Sequence, residues 1–373
     1  MITYKEKVEG CLYLASFLET LGFFNGKWEF NYGVRVNNIT EGLVINYSLL
    51  HQYYLYGGLI NINFKTLKSS DDTLLIIATA EAVNKGGGLK NYVDSYLKYL
   101  PQLKEDKRIS GVATLQSLEK IRLSKNINQI KYSSKYGGNG CAIRTAPIGL
   151  KYYKNYEKVC EEALLASLVT HNYTLGFLGG IVTALFTAFA INNINPFEWS
   201  LKLEEMHKNK FFNNIIEKHI KEDISADINE FFIYWQKYNE EKLSKMRFRK
   251  LGVFSNGYSK IKDLITYSTI NYEENKQGYE NFGGSGLEAT IIAYDNFLMS
   301  AIPNDKMEVD ITNPHFSWDS FIFHNVFFFG DNDSTSAISA SWYGAYLGID
   351  KCPMEKIKEL EFYDILKNES HCI

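Results

Sequence analysis

Apolar residues recur at helical spacing along most of the chain. Between residues 4 and 21, Val8, Cys11, Leu12, Ala15 and Leu18 share one face, and Gly22 is expected to stop that helix. The run LLIIATAEAV after Asp72 predicts a second helix ending by Gly86-Gly87-Gly88, and a further one is expected from about Asn91 to Leu100. Lys104 to Lys135 is polar with one apolar face, the pattern of an exposed helix and loop. From Ala163 to Phe197 no residue carries a formal charge, and Leu175 to Ile191 is almost wholly apolar. Residues 31 to 68 read as mixed and turn-rich, punctuated by Asn37, Asn38, Gly57 and Gly58. Between Glu198 and Lys276 the composition shifts to Lys, Glu and Asn with interspersed aromatics such as Phe231, Phe232, Tyr234, Trp235 and Tyr238. That stretch predicts two exposed amphipathic helices and a flexible connection, with no domain boundary. Helical period in the segments starting at 4, 72, 162 and 334 makes the chain helix-rich.

Composition narrows this picture in three ways. Apolar residues are 45% and aromatics 15% of 373 residues, which excludes disorder and implies extensive burial. Forty basic against 43 acidic residues give a formal charge of −3, so neither nucleic acid nor an anionic membrane has bulk electrostatic support as a partner. Cys11, Cys141, Cys160, Cys352 and Cys372 are an odd set without C-x-x-C spacing, which suits free thiols in a reducing compartment. MITYKEKVEG lacks the basic-then-apolar pattern of a signal peptide, and a cytoplasmic location is expected. The apolar run ending at Ile191 sits at the lower edge of the length needed to cross a bilayer, and no basic cluster flags either end. A helix apolar on all sides is also what the interior of a large helical protein requires.

Two acidic clusters carry the candidate chemistry. In GDNDSTSAISASWYGAYLG, from Gly330 to Gly348, Asp331, Asp333 and Ser334 stand at the start of a helix thinned by small residues. Ser69-Ser70-Asp71-Asp72-Thr73 has the same grammar of hydroxyl, carboxylates and helix. Capping preference alone accounts for either motif, and a single pair of carboxylates leaves most of a magnesium octahedron to water. If the two helix starts face each other, four carboxylates and two hydroxyls are available for two Mg2+ ions. A glycine turn, Gly137-Gly138-Asn139-Gly140-Cys141, bares backbone N–H groups before a helical pattern containing Arg144, which is read as a structural partner for a carboxylate. A tight turn without ligand is the other reading of that segment.

The chain resembles the ADP-ribosylglycohydrolase family, and within it the ADP-ribosylarginine hydrolase branch. The matching segments are LGFFNGKWEF (Leu21 to Phe30), SDDTLLIIATAEA (Ser70 to Ala82), GGNGCAIRTAPIGL (Gly137 to Leu150), THNYTLGFLGGIVTALFTAFAI (Thr170 to Ile191), FGGSGLEATIIAYD (Phe282 to Asp295) and Gly330 to Gly348. The resemblance implies one compact all-α domain over residues 1–373, with orthogonally packed helices around a central two-metal site. It implies Mg2+-dependent hydrolysis of the N-glycosidic bond between ADP-ribose and arginine side chains of modified proteins. Asp71 and Asp72 would orient or deprotonate water, and Ser70, Asp71, Asp72, Asp331, Asp333 and Ser334 would hold two ions. Substrate contacts are expected from Glu29, Gly138, Asn139, Gly140, His171, Tyr279, Gly283, Gly284 and Ser285. His171 is expected to open the long apolar helix, and Tyr279 to stack on an adenine or ribose face. Three departures stand out: Leu18-Glu19 replaces the family's Gly-Asp, Asn172-Tyr173-Thr174 follows His171, and Leu287-Glu288 stands where His-Asp is frequent. Expected partners are ADP-ribosylated proteins and ADP-ribose, and the chain is expected to be a monomer. An ADP-ribosylserine or other O-linked hydrolase, and a non-catalytic ADP-ribose-binding protein, are the alternatives.

Overall fold

The computed structural model describes residues 2–30, 34–126, 130–246, 264–268, 281–303, 309–350 and 352–373. In chain order the longer helices are α1 (Tyr4–Phe23), α2 (Ile39–Leu55), α3 (Asp71–Asn84), α4 (Leu89–Leu103), α5 (Val112–Ser124), α6 (Ala146–Tyr152), α7 (Tyr156–Leu168) and α8 (Thr174–Ile191). They continue with α9 (Trp199–Lys208), α10 (Phe211–His219), α11 (Ser225–Tyr238), α12 (Gly286–Met299), α13 (Trp318–Val326), α14 (Asn332–Leu347) and α15 (Tyr363–Cys372). Among the described residues the only β pairing is a few isolated bridges, so the fold is all-α.

Thr3 sets the entry of α1. Its hydroxyl accepts the Glu6 N–H and the Glu6 carboxylate accepts the Thr3 N–H, a reciprocal cap that satisfies two otherwise orphaned donors. α1 is buried over most of its length and lies along α14, the most extensive helix pairing in the molecule. Glycine permits that approach: a Cβ on Gly344 would lie 2.2 Å from the backbone carbon and oxygen of Gly10. Gly22 does not stop α1. The helix runs to Phe23, with Phe24 in the left-handed region at its end, and Gly22 lies inside it because a Cβ there would stand 3.0 Å from the Asp333 Cα.

α8 is the apolar helix that the sequence left open to two readings, and 94% of it is buried within the molecule. α6, α7, α12 and α14 pack around it, and the Trp342 indole N–H donates to the Thr183 carbonyl at 3.0 Å. His171 does not open this helix; α8 begins at Thr174, after a turn that contains His171. Among the described residues the charged stretch after Glu198 holds three longer helices, α9 to α11, where two were expected. Its aromatics turn inward: Trp199, Phe231, Phe232, Trp235 and Tyr238 are buried, and Phe186 of α8 sits against Trp199 and Trp235 at ring centroid distances of 5.5 and 5.6 Å. Residues 31 to 68 also hold more helix than their turn residues suggested. Asn38 caps α2 by accepting the Glu41 N–H at 3.0 Å.

Candidate active site

The two acidic clusters meet. Ser70 caps α3, its hydroxyl accepting the Asp72 N–H at 3.2 Å, which puts Asp71 and Asp72 in the first turn where the helix dipole favours negative charge. α14 starts opposite, and the Ser334 hydroxyl donates to Asp72 Oδ2 at 3.0 Å across 262 positions of sequence. Asp331 occupies the capping position of α14 without capping it. Its Oδ2 instead accepts the Asn139 side-chain amide at 2.8 Å, while Oδ1 is buried with no hydrogen-bond partner. The loop after α1 brings Glu29 over the same place, tethered by the Phe30 N–H donating to the Gly330 carbonyl at 3.0 Å. Carboxylate oxygens of Glu29, Asp331 and Asp333 lie within 4.8 Å of one another, all three residues buried.

These carboxylates are held against their own charge. Burial first, then the neighbouring acids, pushes Asp72, Asp333 and Glu29 well above the usual carboxylate range. Asp71 is pushed up to about 7, mainly by burial and further by Glu19 and Asp331, against backbone N–H groups that include Gly111. Asp331 is raised in the same direction by burial. Among the described residues none of these five acids carries an ion pair. A divalent cation fits that donor set: hard oxygen donors converge, Glu29 Oε2 and Asp331 Oδ1 lack partners, and the mutual repulsion is what bound positive charge relieves.

The acids form the floor of a cavity of about 550 Å3. The Gly137–Cys141 turn and the FGGSG segment line the same cavity, hydrogen-bonded to each other through the Asn139 N–H to the Gly284 carbonyl at 3.0 Å and the Gly286 N–H to the Gly137 carbonyl at 3.1 Å. His171 closes the wall behind them, so that a Cβ on Gly140 would meet its Cε1 at 2.9 Å. Burial and the Arg144 charge hold the imidazole neutral, its pKa pushed down to about 3. Arg144 donates to Thr170 Oγ1 at 2.6 Å, and that oxygen lies 2.7 Å from His171 Nδ1, which fixes the ring's orientation. Arg144 itself binds the Gly140 and Ala166 carbonyls and lies over the Tyr96 ring, so its partners are carbonyls, a hydroxyl and a ring in place of the carboxylate expected for it.

The family model for ADP-ribosylglycohydrolases matches residues 1–370. The chain belongs to the ADP-ribosylglycohydrolase family. It is similar to the Dictyostelium discoideum protein named ADP-ribosylhydrolase ARH1, with 29% identity over 97% of this chain and 92% of that protein. It is also similar to human ADP-ribosylhydrolase ARH3, at 25% identity over 63% of this chain and 57% of the human one. A solved structure titled an ADP-ribosylglycohydrolase-related protein complex shares the fold, with a TM-score of 0.54, 15% identity and coverage of 98% of this chain and 97% of that one.

Of the residues singled out from the sequence, Glu29, Asp71, Asp72, Gly138, Asn139, Gly140, His171, Gly284, Ser285, Asp331 and Ser334 line this one cavity. Asp333 lies beside it in the carboxylate trio. Ser70 and Gly283 are not on the wall. Ser70 is engaged as the α3 cap, and Gly283 stands behind, its carbonyl accepting the Asn139 amide at 3.0 Å and its backbone at φ +91 against Asp331 Cβ. Tyr279 lies outside the described residues. Residues not singled out also line the cavity, among them Phe30, Ile109, Thr114, Ser134 and Tyr173. Ile109 adopts a left-handed φ of 50, unusual for a β-branched residue, and no pattern of residue types announces that. Glu288, where the family frequently has Asp, turns away from the cavity, its carboxylate taking the Ser268 hydroxyl and the Gly283 N–H.

Proposed function

We propose that the protein is an Mg2+-dependent hydrolase that cleaves the N-glycosidic bond between ADP-ribose and arginine side chains of modified proteins, reversing mono-ADP-ribosylation. The observation that carries this reading is the junction of the two clusters through Ser334 and Asp72, in a cavity also lined by a pair of glycine loops. ADP-ribose asks for both ends of that arrangement: backbone donors for a pyrophosphate, and oxygens near a ribose whose bond is to be broken. Asp71, Asp72, Asp331, Asp333, Ser334 and Glu29 are the groups that would hold two Mg2+ ions, which neutralise the carboxylates and fix ribose hydroxyls when bound. Asp71 and Asp72 would orient the attacking water and one of them take its proton as the C–N bond breaks and positive charge grows on the ribose; the arginine guanidine leaves with the bonding pair and takes up that proton. His171 and the backbone at Gly138 and Gly140 contact the nucleotide portion, with Gly284 and Ser285 beside them. Glu29, on a loop tied to Gly330, covers the reacting end. We take residues 1–373 as one domain acting on ADP-ribosylated proteins.

The linkage is the finer part of this reading. FNGKWEF and SDDTLLIIATAEA, together with the similarity to the protein named ADP-ribosylhydrolase ARH1, favour arginine. The similarity to human ADP-ribosylhydrolase ARH3 keeps a serine or other O-linkage as the second reading. Retention of both acidic clusters argues against a binding protein without turnover. Release of ADP-ribose from arginine-modified and serine-modified peptides, each with Mg2+ and with chelator, tests all three. Arginine-selective, Mg2+-dependent release is expected. Serine-selective release would replace the linkage, and tight ADP-ribose binding without release from either peptide would replace the activity.

A further inference from the structure

We propose, building on the metal-site reading above, that Glu19 is a positioning residue and that α1 is the spacer that fixes the distance between the two acidic clusters. Glu19 is the single charge in the run from Gly10 to Gly26 and is fully buried. A carboxylate in such a place is sustained only by hydrogen bonds, and the partners of this one converge on the entry of α3. Oε1 accepts the Ser70 backbone N–H. Oε2 lies 2.8 Å from the Thr73 hydroxyl and 3.0 Å from that of Thr20, whose oxygen is in turn 2.9 Å from Ser69 Oγ. Ser69, Ser70 and Thr73 bracket Asp71 and Asp72, so the two acids are fastened to α1 on both sides.

Three residues further along, on the same face of the helix, Gly22 meets the backbone of Asp333, with room for no more than a hydrogen. One turn of α1 thus touches both clusters, the first through a carboxylate and the second through the absence of a side chain. From the far side Arg108, also buried, donates to the Ser69 carbonyl at 2.7 Å and pairs through both terminal nitrogens with Glu361, at 2.7 and 3.0 Å. The turn before α3 is therefore clamped between α1 and the C-terminal segment. Glu19 is not on the cavity wall; it acts through Ser70 and Thr73, and its charge adds to the repulsion around Asp71.

The test uses the full chain and Mg2+ alone as the probe, titrated calorimetrically into chelator-stripped protein. Glu19→Gln keeps the length of the side chain but leaves one acceptor oxygen in place of two. It is expected to weaken Mg2+ about 10- to 100-fold, the usual effect of removing a partner that orients metal ligands, with the far-UV circular dichroism unchanged. Excess Mg2+ should restore turnover in Glu19→Gln, because every metal-holding side chain is still present, and should not restore it in Asp333→Asn. A folded Glu19→Gln that binds Mg2+ like the unaltered protein, while Asp333→Asn does not bind, overturns the spacer role and leaves the metal site standing. No Mg2+ binding by the unaltered protein overturns both. If Glu19→Gln fails to fold, Thr73→Val removes one tie at nearly constant shape; a loss of about threefold or more in Mg2+ affinity supports the role, and an unchanged affinity overturns it.

Discussion

Removing divalent cations should make the protein lose stability as pH rises from 5 to 8, the reverse of the usual behaviour of paired carboxylates. In the folded chain Asp71 is raised from 3.8 to about 7, by burial first and the neighbouring acids after it. A group with a raised folded pKa binds its proton more tightly in the folded state. Its stabilising effect is fully present below the unfolded pKa and is lost as pH climbs through the folded one, here between 3.8 and about 7. About two pH units of that window, from 5 to about 7, lie in the range of the melts, and at about 1.4 kcal/mol each they put the contribution of Asp71 there near 2.8 kcal/mol. With about 2.1 cal/mol/K of unfolding entropy per residue, a chain of 373 residues has roughly 0.8 kcal/mol/K, so the melting temperature falls by about 3.5 °C. Asp72, Asp333, Glu29 and Asp331 are raised in the same direction and add to the slope. Mg2+ at a hundred times its dissociation constant should return about 2.7 kcal/mol at pH 8 and much less at pH 5, where protons occupy the carboxylates. Thermal melts at intervals from pH 5 to 8, in chelator and in Mg2+, measure both effects, and Asp71→Asn should shallow the chelated slope. A chelated protein that melts higher at pH 8 than at pH 5, or a slope indifferent to Mg2+, would refute the reasoning.

Three further outcomes follow from individual contacts. Asp71→Asn and Asp333→Asn should each abolish ADP-ribose release, by about a hundredfold or more, with circular dichroism unchanged; full turnover in either would remove that residue from the site. Gly344→Ala places a methyl carbon 2.2 Å from the Gly10 backbone and should destabilise by about 3 kcal/mol through forced separation of α1 and α14, read as a lower urea midpoint. Nitrogen-15 shifts of the His171 ring should report a neutral imidazole from pH 5 to 8 with no imidazolium, because burial and the Arg144 charge push its pKa down to about 3.

What could be read from the sequence divides along a physical line. Helix entries are local, and the caps at Ser70 and Asn38 and the acids that follow Ser70 are written in adjacent residues. The helical period of α1, α3, α8 and α14 is local too. What pairs two entries across 262 positions is tertiary, and only the repetition of the same hydroxyl-and-carboxylate grammar hinted at it. Glycines misled where they serve packing: Gly22 looks like a stop and is instead the gap that Asp333 fills. Aromatics among charges looked like exposed faces because the sequence does not disclose which segments cover α8, apolar all round. Glu19 left a signal that periodicity discards, one carboxylate in the middle of an uncharged buried stripe.

The arrangement explains why so much structure converges on so few side chains. Glu29, Asp71, Asp72, Asp331 and Asp333 repel one another in a buried space, and each alone would lower its energy by moving toward water. They stay because the backbone that carries them cannot yield. The entry of α3 is tied to Glu19 on one side and Arg108 with Glu361 on the other, the entry of α14 is pressed against Gly22, and Glu29 is tethered through Phe30 to Gly330. On the metal-site reading, rigidity converts repulsion into affinity: a cation would meet acids that do not have to be gathered first, and binding would relieve their repulsion. By the same logic a single loosened tie lets the acids drift apart, relieves the repulsion and weakens the metal. Affinity for Mg2+ should therefore fall across variants of Glu19, Arg108 and Glu361, wherever the fold survives the substitution.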